Sequence, residues 1–442
     1  GRQPCYRRRM IELLERLGYT PRFCVWELTL GCNLRCLHCG SYAGVRRKNE
    51  LDLKESLDLA DQLAELGCEK VTLSGGEPTL NPDWHVIGKH LTERGVHVNM
   101  IANGWRWTQK HIDNAKEAGL TNLAFSLDGF EEAHDYQRRE DSFRRVVEAI
   151  DLCVASEMPV SIVTTINKRN MSQIRALRDF LNEKGVASWQ LQIGIPSGTM
   201  SHFADELVVT PEDMLEIVPL IADLRSDDVE RPLIFPSDNI GFFGKPEKAL
   251  RDRGAQIDFW VGCRAGLQVI GIESDGGIKG CLSLPSAMHG KEDIFLEGNV
   301  RDASLAELWR RKGAFTYNRD FSVDQLAGFC ARCRFRDICR GGCAWTAYSH
   351  TNNRFDNPYC FYRQAVVRRR FDLIDEEPTA DELSWAEPGV TYTLDDPAMQ
   401  PDAIARQADE IAKTQARVEA SASANSASDP SAANSASASK TA

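Results

Sequence analysis

The sequence predicts an α/β fold: a parallel sheet built from six strand–helix units, followed by a small cysteine-rich domain with a β-hairpin and helices. Three observations predict it. Apolar, partly β-branched runs alternate strictly with amphipathic stretches from residue 25 to about residue 240, the pattern of right-handed β-α-β crossovers. Glycine-rich or polar segments follow several of those runs, where parallel α/β folds hold their ligands. Past residue 262, cysteines return in two blocks, Cys263 and Cys281, then Cys330, Cys333, Cys339, Cys343 and Cys360. The expected organisation is a helical lead-in over 1–24, the parallel α/β domain over 25–240, a bridge over 241–262 and the cysteine-rich domain over 263–375. An acidic, then Ser/Ala-rich, largely disordered tail follows over 376–442.

Residues 6–17 read as a basic amphipathic helix packed on the first domain. The first strand spans 25–30 and stops at Gly31. Further strands are expected at 69–73, 97–101, 121–126, 159–166 and 188–194, with helices at 53–66, 83–94, 108–118, 142–156 and 171–184. Most of these helices repeat apolar residues at i, i+3 and i+4. Residues 195–257 are punctuated by proline and glycine, with one helix near 211–225. Runs at 269–272 and 277–280 flank Asp275-Gly276 and predict the hairpin. A closing helix is expected at 363–375 and another at 402–418. From Ser421 the chain is almost all Ser, Ala and Asn, which cannot bury enough apolar surface to order itself.

At 442 residues the chain holds two or three domains. A net charge of −11 argues against nucleic acid as a partner, and no apolar run reaches the ~18 residues of a membrane span. The first residues carry no apolar secretory segment. Fourteen clustered cysteines suit thiolate ligands in a reducing cytoplasm better than a disulfide framework, so a cytoplasmic location is expected.

Cys32-Asn33-Leu34-Arg35-Cys36-Leu37-His38-Cys39 sets three cysteines at C-x3-C-x2-C spacing in one loop. Soft thiolates at this spacing select zinc or an iron–sulfur cluster. A structural zinc site closes with four ligands, and the next cysteine, Cys68, ends a predicted helix. Three ligands fit a [4Fe–4S] cluster with one iron open to a small molecule; His38 would then point elsewhere. Cys68 and Cys153 fall in apolar helical stretches and read as core, and Cys5 and Cys24 lie far from any cluster spacing.

This loop, standing after a first strand, resembles the signature of the radical S-adenosylmethionine (SAM) superfamily, and the six units resemble its partial (β/α)6 TIM-type barrel. The resemblance implies that Cys32, Cys36 and Cys39 hold a cluster whose open iron is chelated by SAM. An external one-electron reductant would then drive release of a 5′-deoxyadenosyl radical. Ser74-Gly75-Gly76-Glu77-Pro78 follows the second strand. Its glycines let backbone approach a ligand closely, and it resembles the family's GGE motif, whose backbone holds the methionine amino group. Ala102-Asn103-Gly104 and Ser126-Leu127-Asp128-Gly129 follow the third and fourth strands. Both contain ordinary turn pairs, yet in these positions they look like the family's ribose- and carboxylate-binding segments. Arg138 offers a fork for the SAM carboxylate. The implied cofactor-binding set is therefore Gly75, Gly76, Glu77, Asn103, Ser126, Asp128 and Arg138. Gln190 and Gln192 alternate with Trp189, Leu191 and Ile193, facing either the lumen or other polar core groups; Thr165 ends strand five.

Cys330-x2-Cys333-x5-Cys339-x3-Cys343 alone is compatible with a zinc ribbon or a cluster. With Cys263-x12-Gly276-x4-Cys281 before it and Cys360 after it, the order resembles the SPASM domain of many radical SAM enzymes. That resemblance implies two auxiliary [4Fe–4S] clusters, one on Cys263, Cys281 and Cys343 and one on Cys330, Cys333, Cys339 and Cys360. Three clusters in all are thus implied. The first auxiliary cluster lacks a cysteine shortly before Cys263, leaving Asp258 or an open iron.

The function implied is a maturase that oxidatively modifies or cross-links a side chain of a ribosomally made peptide or protein. The alternatives are dehydrogenation or epimerisation of a small molecule, and sulfatase maturation. Only a short basic helix precedes strand one, so leader recognition is expected from a separate leader-peptide-binding protein or another surface.

Overall fold

The computed structural model describes residues 18–227, 229–252, 259–286 and 293–385. The expected helices at 6–17 and 402–418, the tail from Ser421 and Asp258 lie outside these residues.

Seven successive strands lie side by side in one sheet: β1 (Phe23–Glu27), β2 (Lys70–Ser74), β3 (His97–Ala102), β4 (Asn122–Ser126), β5 (Val160–Ile166), β6 (Ser188–Ile193) and β7 (Leu233–Pro236). Each pairs in parallel with the next. Helices α1 (Leu53–Glu65), α2 (Trp84–Glu93), α3 (Gln109–Glu117), α4 (Glu131–Gln137), α5 (Ser142–Ala155), α6 (Ile174–Glu183) and α7 (Met214–Ser226) run between them. The first crossover shows how the sequence builds such a unit. Asp52 accepts from the Glu55 amide at 2.8 Å and Glu55 returns a bond to the Asp52 amide at 2.9 Å, satisfying orphan donors at the start of α1. Leu59, Ala60 and Leu63 then face the sheet, fully buried; each leucine contributes about 1.5–3 kcal/mol. Gly67, with φ +86°, turns the chain back.

Among the elements that were not expected, two belong to the parallel domain's sheet and site. β7 is a short edge strand ending in Pro236, with Leu233 exposed; proline within so short a run hides a strand, and an edge position tolerates it. α4 lacks an apolar stripe because its buried face is Ala133, His134 and Gln137. The closing helix is shorter than expected, Phe361–Val367, with Arg369 left-handed at φ +56° just beyond it.

The predicted hairpin is present as β8 (Val269–Ile272) and β9 (Gly277–Lys279), turning at Gly276 with φ +90°. It does not stand apart: β8 pairs in parallel with β1 from Phe23↔Val269 to Trp26↔Ile272. A tenth strand, β10 (Gly298–Asn299), pairs with β9. The order is therefore β10-β9-β8-β1-β2-β3-β4-β5-β6-β7, an open sheet with edges at β10 and β7, a partial barrel. Buried polar groups knit the seam. Glu27 accepts from Ser274 Oγ at 2.8 Å and from Arg47 at 2.8 Å, and Arg47 reaches Glu273 at 3.2 Å. Among the described residues no helix is long and apolar enough to cross a membrane. Cys24, Cys68 and Cys153 are buried in the apolar core.

Candidate active site

The carboxyl ends of β1 to β6 open into a cavity of about 640 Å³. Its wall includes the three loop thiols Cys32, Cys36 and Cys39, together with Gly75, Gly76, Asn103, Ser126 and Arg138. Thr165, Gln190 and Gln192 also line it, so the two glutamines face the lumen while Trp189, Leu191 and Ile193 are fully buried. Gln192 donates to Thr165 Oγ1 at 3.2 Å.

The loop is held from several sides. The Cys32 amide donates to Gly44 O at 3.2 Å, Leu37 N to Gln137 O at 2.8 Å, and Met200 N to Cys39 O at 3.3 Å. Gly198, at φ +59°, lies so close that a Cβ there would come within 2.4 Å of Gly40 backbone. Amides also aim at the sulfurs: Leu34 N lies 3.4 Å from Cys32 Sγ and Ala43 N 3.4 Å from Cys39 Sγ. Asn103 Nδ2 approaches Cys32 Sγ at 3.8 Å, and an Arg138 Nη1 approaches Cys36 Sγ at 3.9 Å. Burial pushes the Cys36 thiol up to about 12, against the pull of Arg138, and raises Cys32 as well. Without a bound cation these groups are thiols; metal binding would release their protons.

Glu77 and Asp128 stand behind this wall, wholly buried. The Glu77 carboxylate accepts from Thr79 Oγ1 at 2.6 Å and from the Asn103 amide at 2.8 Å, tying the glycine segment to the end of β3. Burial raises its pKa, with these bonds opposing. Gly75 has φ +147°, and a Cβ there would meet Thr29 O at 2.3 Å, so the β2–α2 turn lies directly on the backbone leading to Cys32. Asp128 holds Arg138 Nε at 2.5 Å, His38 Nε2 at 3.0 Å and the Thr165 amide at 2.7 Å. Burial alone would raise its pKa, but the Arg138 guanidinium and His38 hold it well below the usual carboxylate range. His38 thus turns away from the sulfurs. The polar face of α4 completes the bracket. His134 Nδ1 accepts from the Asp128 amide at 3.0 Å, and Gln137 donates to Asp128 O at 3.0 Å. Burial lowers the His134 pKa to about 3, fitting a neutral acceptor. Sequence reasoning missed His134 and Gln137, which look like surface residues of a turn.

The later cysteines form two groups. Cys330, Cys333, Cys339 and Cys360 line one small cavity with Phe242, Phe329 and Tyr362. Cys343 lies beside Cys263 and Cys281, whose charges act on its thiol, which burial pushes up to about 12. Cys281 and the neighbouring Trp345 also reach the large cavity. Among the described residues no three His, Cys, Asp or Glu side chains converge tightly enough to clasp a single metal ion. Four thiols lining one small cavity and three lining the large one are the soft donors that an iron–sulfur cluster takes.

Comparison with known proteins agrees. The radical SAM superfamily matches residues 26–181, and the SPASM iron–sulfur cluster-binding domain matches residues 263–334. Mycofactocin maturase MftC of Mycobacterium tuberculosis is 31% identical over 338 residues, 76% of this chain and 81% of that protein. This chain is a radical SAM protein with a SPASM domain. The two domains imply iron–sulfur clusters and SAM binding. AdoMet-dependent heme synthase of Methanosarcina barkeri is 28% identical to this radical SAM/SPASM protein over 355 residues, 78% of the chain and 97% of that protein. Streptococcus suis SuiB, solved bound to precursor peptide SuiA, shares the fold with a TM-score of 0.60 at 16% identity, covering 80% of this chain and 78% of that one.

Proposed function

We propose that this radical SAM/SPASM protein is a maturase that oxidatively modifies, by cross-linking, a side chain of a ribosomally made peptide or protein. One observation carries the reading: a single large cavity is bounded by the loop thiols Cys32, Cys36 and Cys39 and also by Cys281 and Trp345 of the cysteine-rich segment. A substrate in it would lie between the group that removes hydrogen and a group able to take an electron. Similarity to MftC and the shared fold with SuiB support a peptide.

In this reading Cys32, Cys36 and Cys39 hold the SAM cluster. Cys263, Cys281 and Cys343 hold one auxiliary cluster, and Cys330, Cys333, Cys339 and Cys360 the other. When bound, SAM and its cluster supply hydrogen-atom abstraction, and the auxiliary clusters supply a one-electron acceptor. The chain's own work is placement. Gly75 and Gly76 would present backbone to the SAM amino group, Asn103 and Ser126 would serve its ribose, and Arg138 would pair with its carboxylate. Glu77 fixes Asn103, and Asp128 fixes Arg138. The Leu34 and Ala43 amides steady the sulfurs. An external reductant is the partner this requires; a leader peptide would be recognised by a separate leader-peptide-binding protein or by another surface of this chain, and a cytoplasmic location suits such clusters.

A second reading, an iron porphyrin or other small molecule as substrate, is favoured by the heme synthase similarity, which spans 97% of that relative. Anaerobic incubation with SAM, reductant and a precursor peptide encoded near the gene is expected to yield a peptide two hydrogens lighter, detected by mass spectrometry. An unchanged peptide, with turnover of an iron porphyrin instead, would overturn the peptide reading; turnover of a sulfatase peptide would do the same for cross-linking.

A further inference from the structure

The cysteine-rich segment buries a guanidinium that no carboxylate among the described residues answers. Arg354 is 6% exposed, and its Nε and Nη2 have no hydrogen-bond partner among the described residues. The titratable groups acting on it are Cys263, Tyr317 and Arg340. Arg340 is itself buried and of the same charge. Aromatic rings enclose Arg354: Phe355 at 4.4 Å, Tyr317 at 5.7 Å and Phe321 at 5.9 Å. The Tyr317 hydroxyl is also buried without a partner. It packs on Gly280, where a Cβ would come within 2.0 Å of it, and its neighbours include Cys263 and Cys281.

Two further cations held away from solvent are answered by carboxylates. Arg138 has Asp128, and Lys279 has Glu273 and Asp293, each at 3.0 Å. A buried cation without a counter-charge is strongly unfavourable. Such a guanidinium and an idle hydroxyl, gathered beside Cys263 and Cys281, describe a place prepared for an anion.

We propose that Arg354, with Tyr317 beside it, is the electrostatic partner of an anionic cluster held by Cys263, Cys281 and Cys343, and that it raises the reduction potential of that cluster. The inference rests on the assignment of a cluster to those three cysteines. A [4Fe–4S]2+ core with three thiolates carries one net negative charge, and one-electron reduction adds a second. A fixed positive charge in a poorly screened interior therefore favours the reduced form. Arg354 is a positioning residue here: it acts through the cluster and touches no substrate.

The test is a redox titration of the anaerobically purified holoprotein, followed by electron paramagnetic resonance. In Arg354→Gln one cluster is expected to become at least tenfold harder to reduce, a fall of about 59 mV for one electron, with the other signals unmoved. Arg354→Lys keeps the charge and should recover most of the shift. Full iron content with unchanged potentials in Arg354→Gln would overturn the proposal. Should Arg354→Gln lose iron, a cluster kept by Arg354→Lys supports the charge role, and a cluster lost in both overturns it. Wild-type protein holding iron and signals for two clusters only would instead refute the cluster on Cys263, Cys281 and Cys343.

Discussion

Cys36→Ala is expected to end SAM cleavage and to remove about four of roughly twelve irons, leaving both auxiliary clusters in place. The loop offers three sulfurs to one face of the cavity. The loop holds no fourth cysteine to substitute, and Cys24, Cys68 and Cys153 are buried in the apolar core. Cys36 also has Arg138 approaching its sulfur at 3.9 Å, so its loss removes a ligand and leaves that guanidinium facing a gap. Iron and sulfide analysis gives the first number, and chromatography of 5′-deoxyadenosine gives the second. Cys153→Ala is the control and should keep the full iron complement. Loss of all irons from Cys36→Ala, or none, would show that the cysteines are grouped differently.

Asp128→Ala is expected to destabilise the folded protein by about 3–5 kcal/mol, because it strands a buried charge rather than merely deleting a contact. Arg138 would lose its partner at 2.5 Å, and the Thr165 amide and His38 would lose theirs at 2.7 and 3.0 Å. Asp128→Asn keeps the shape and should cost less. The pH dependence has a definite sign. The folded-state pKa of Asp128 is depressed, so its ionisation stabilises fully above the unfolded value of about 4 and is lost as pH falls below it. The stability gap between wild type and Asp128→Asn should stay constant from neutral pH down to about pH 4 and narrow only below that. Denaturant unfolding at several pH values measures it; a gap already closing near pH 6 would contradict the assignment.

The strand–helix order was legible because buried parallel strands and amphipathic helices leave strong local patterns, as at 53–66 and 159–166. The sulfur loop was legible because cluster chemistry fixes spacing. What escaped was written in other terms. α4 was invisible because its buried residues, His134 and Gln137, are polar and serve the backbone around Asp128. The joining of β8 to β1 was invisible because two strands so far apart in the chain carry no local record of their pairing. Glu77 and Asp128 were read from motifs as members of the SAM-binding set; what the motifs did not disclose is that their carboxylates are wholly buried and hold Asn103 and Arg138. Arg354 offered no signal at all, since a lone arginine before an aromatic residue reads as surface.

The most direct measurement is anaerobic reduction of the wild-type protein in the presence of SAM, with metal content determined on the same sample. The account predicts brown protein with about twelve irons and accumulation of 5′-deoxyadenosine together with methionine. Colourless protein that carries zinc and leaves SAM intact would contradict it.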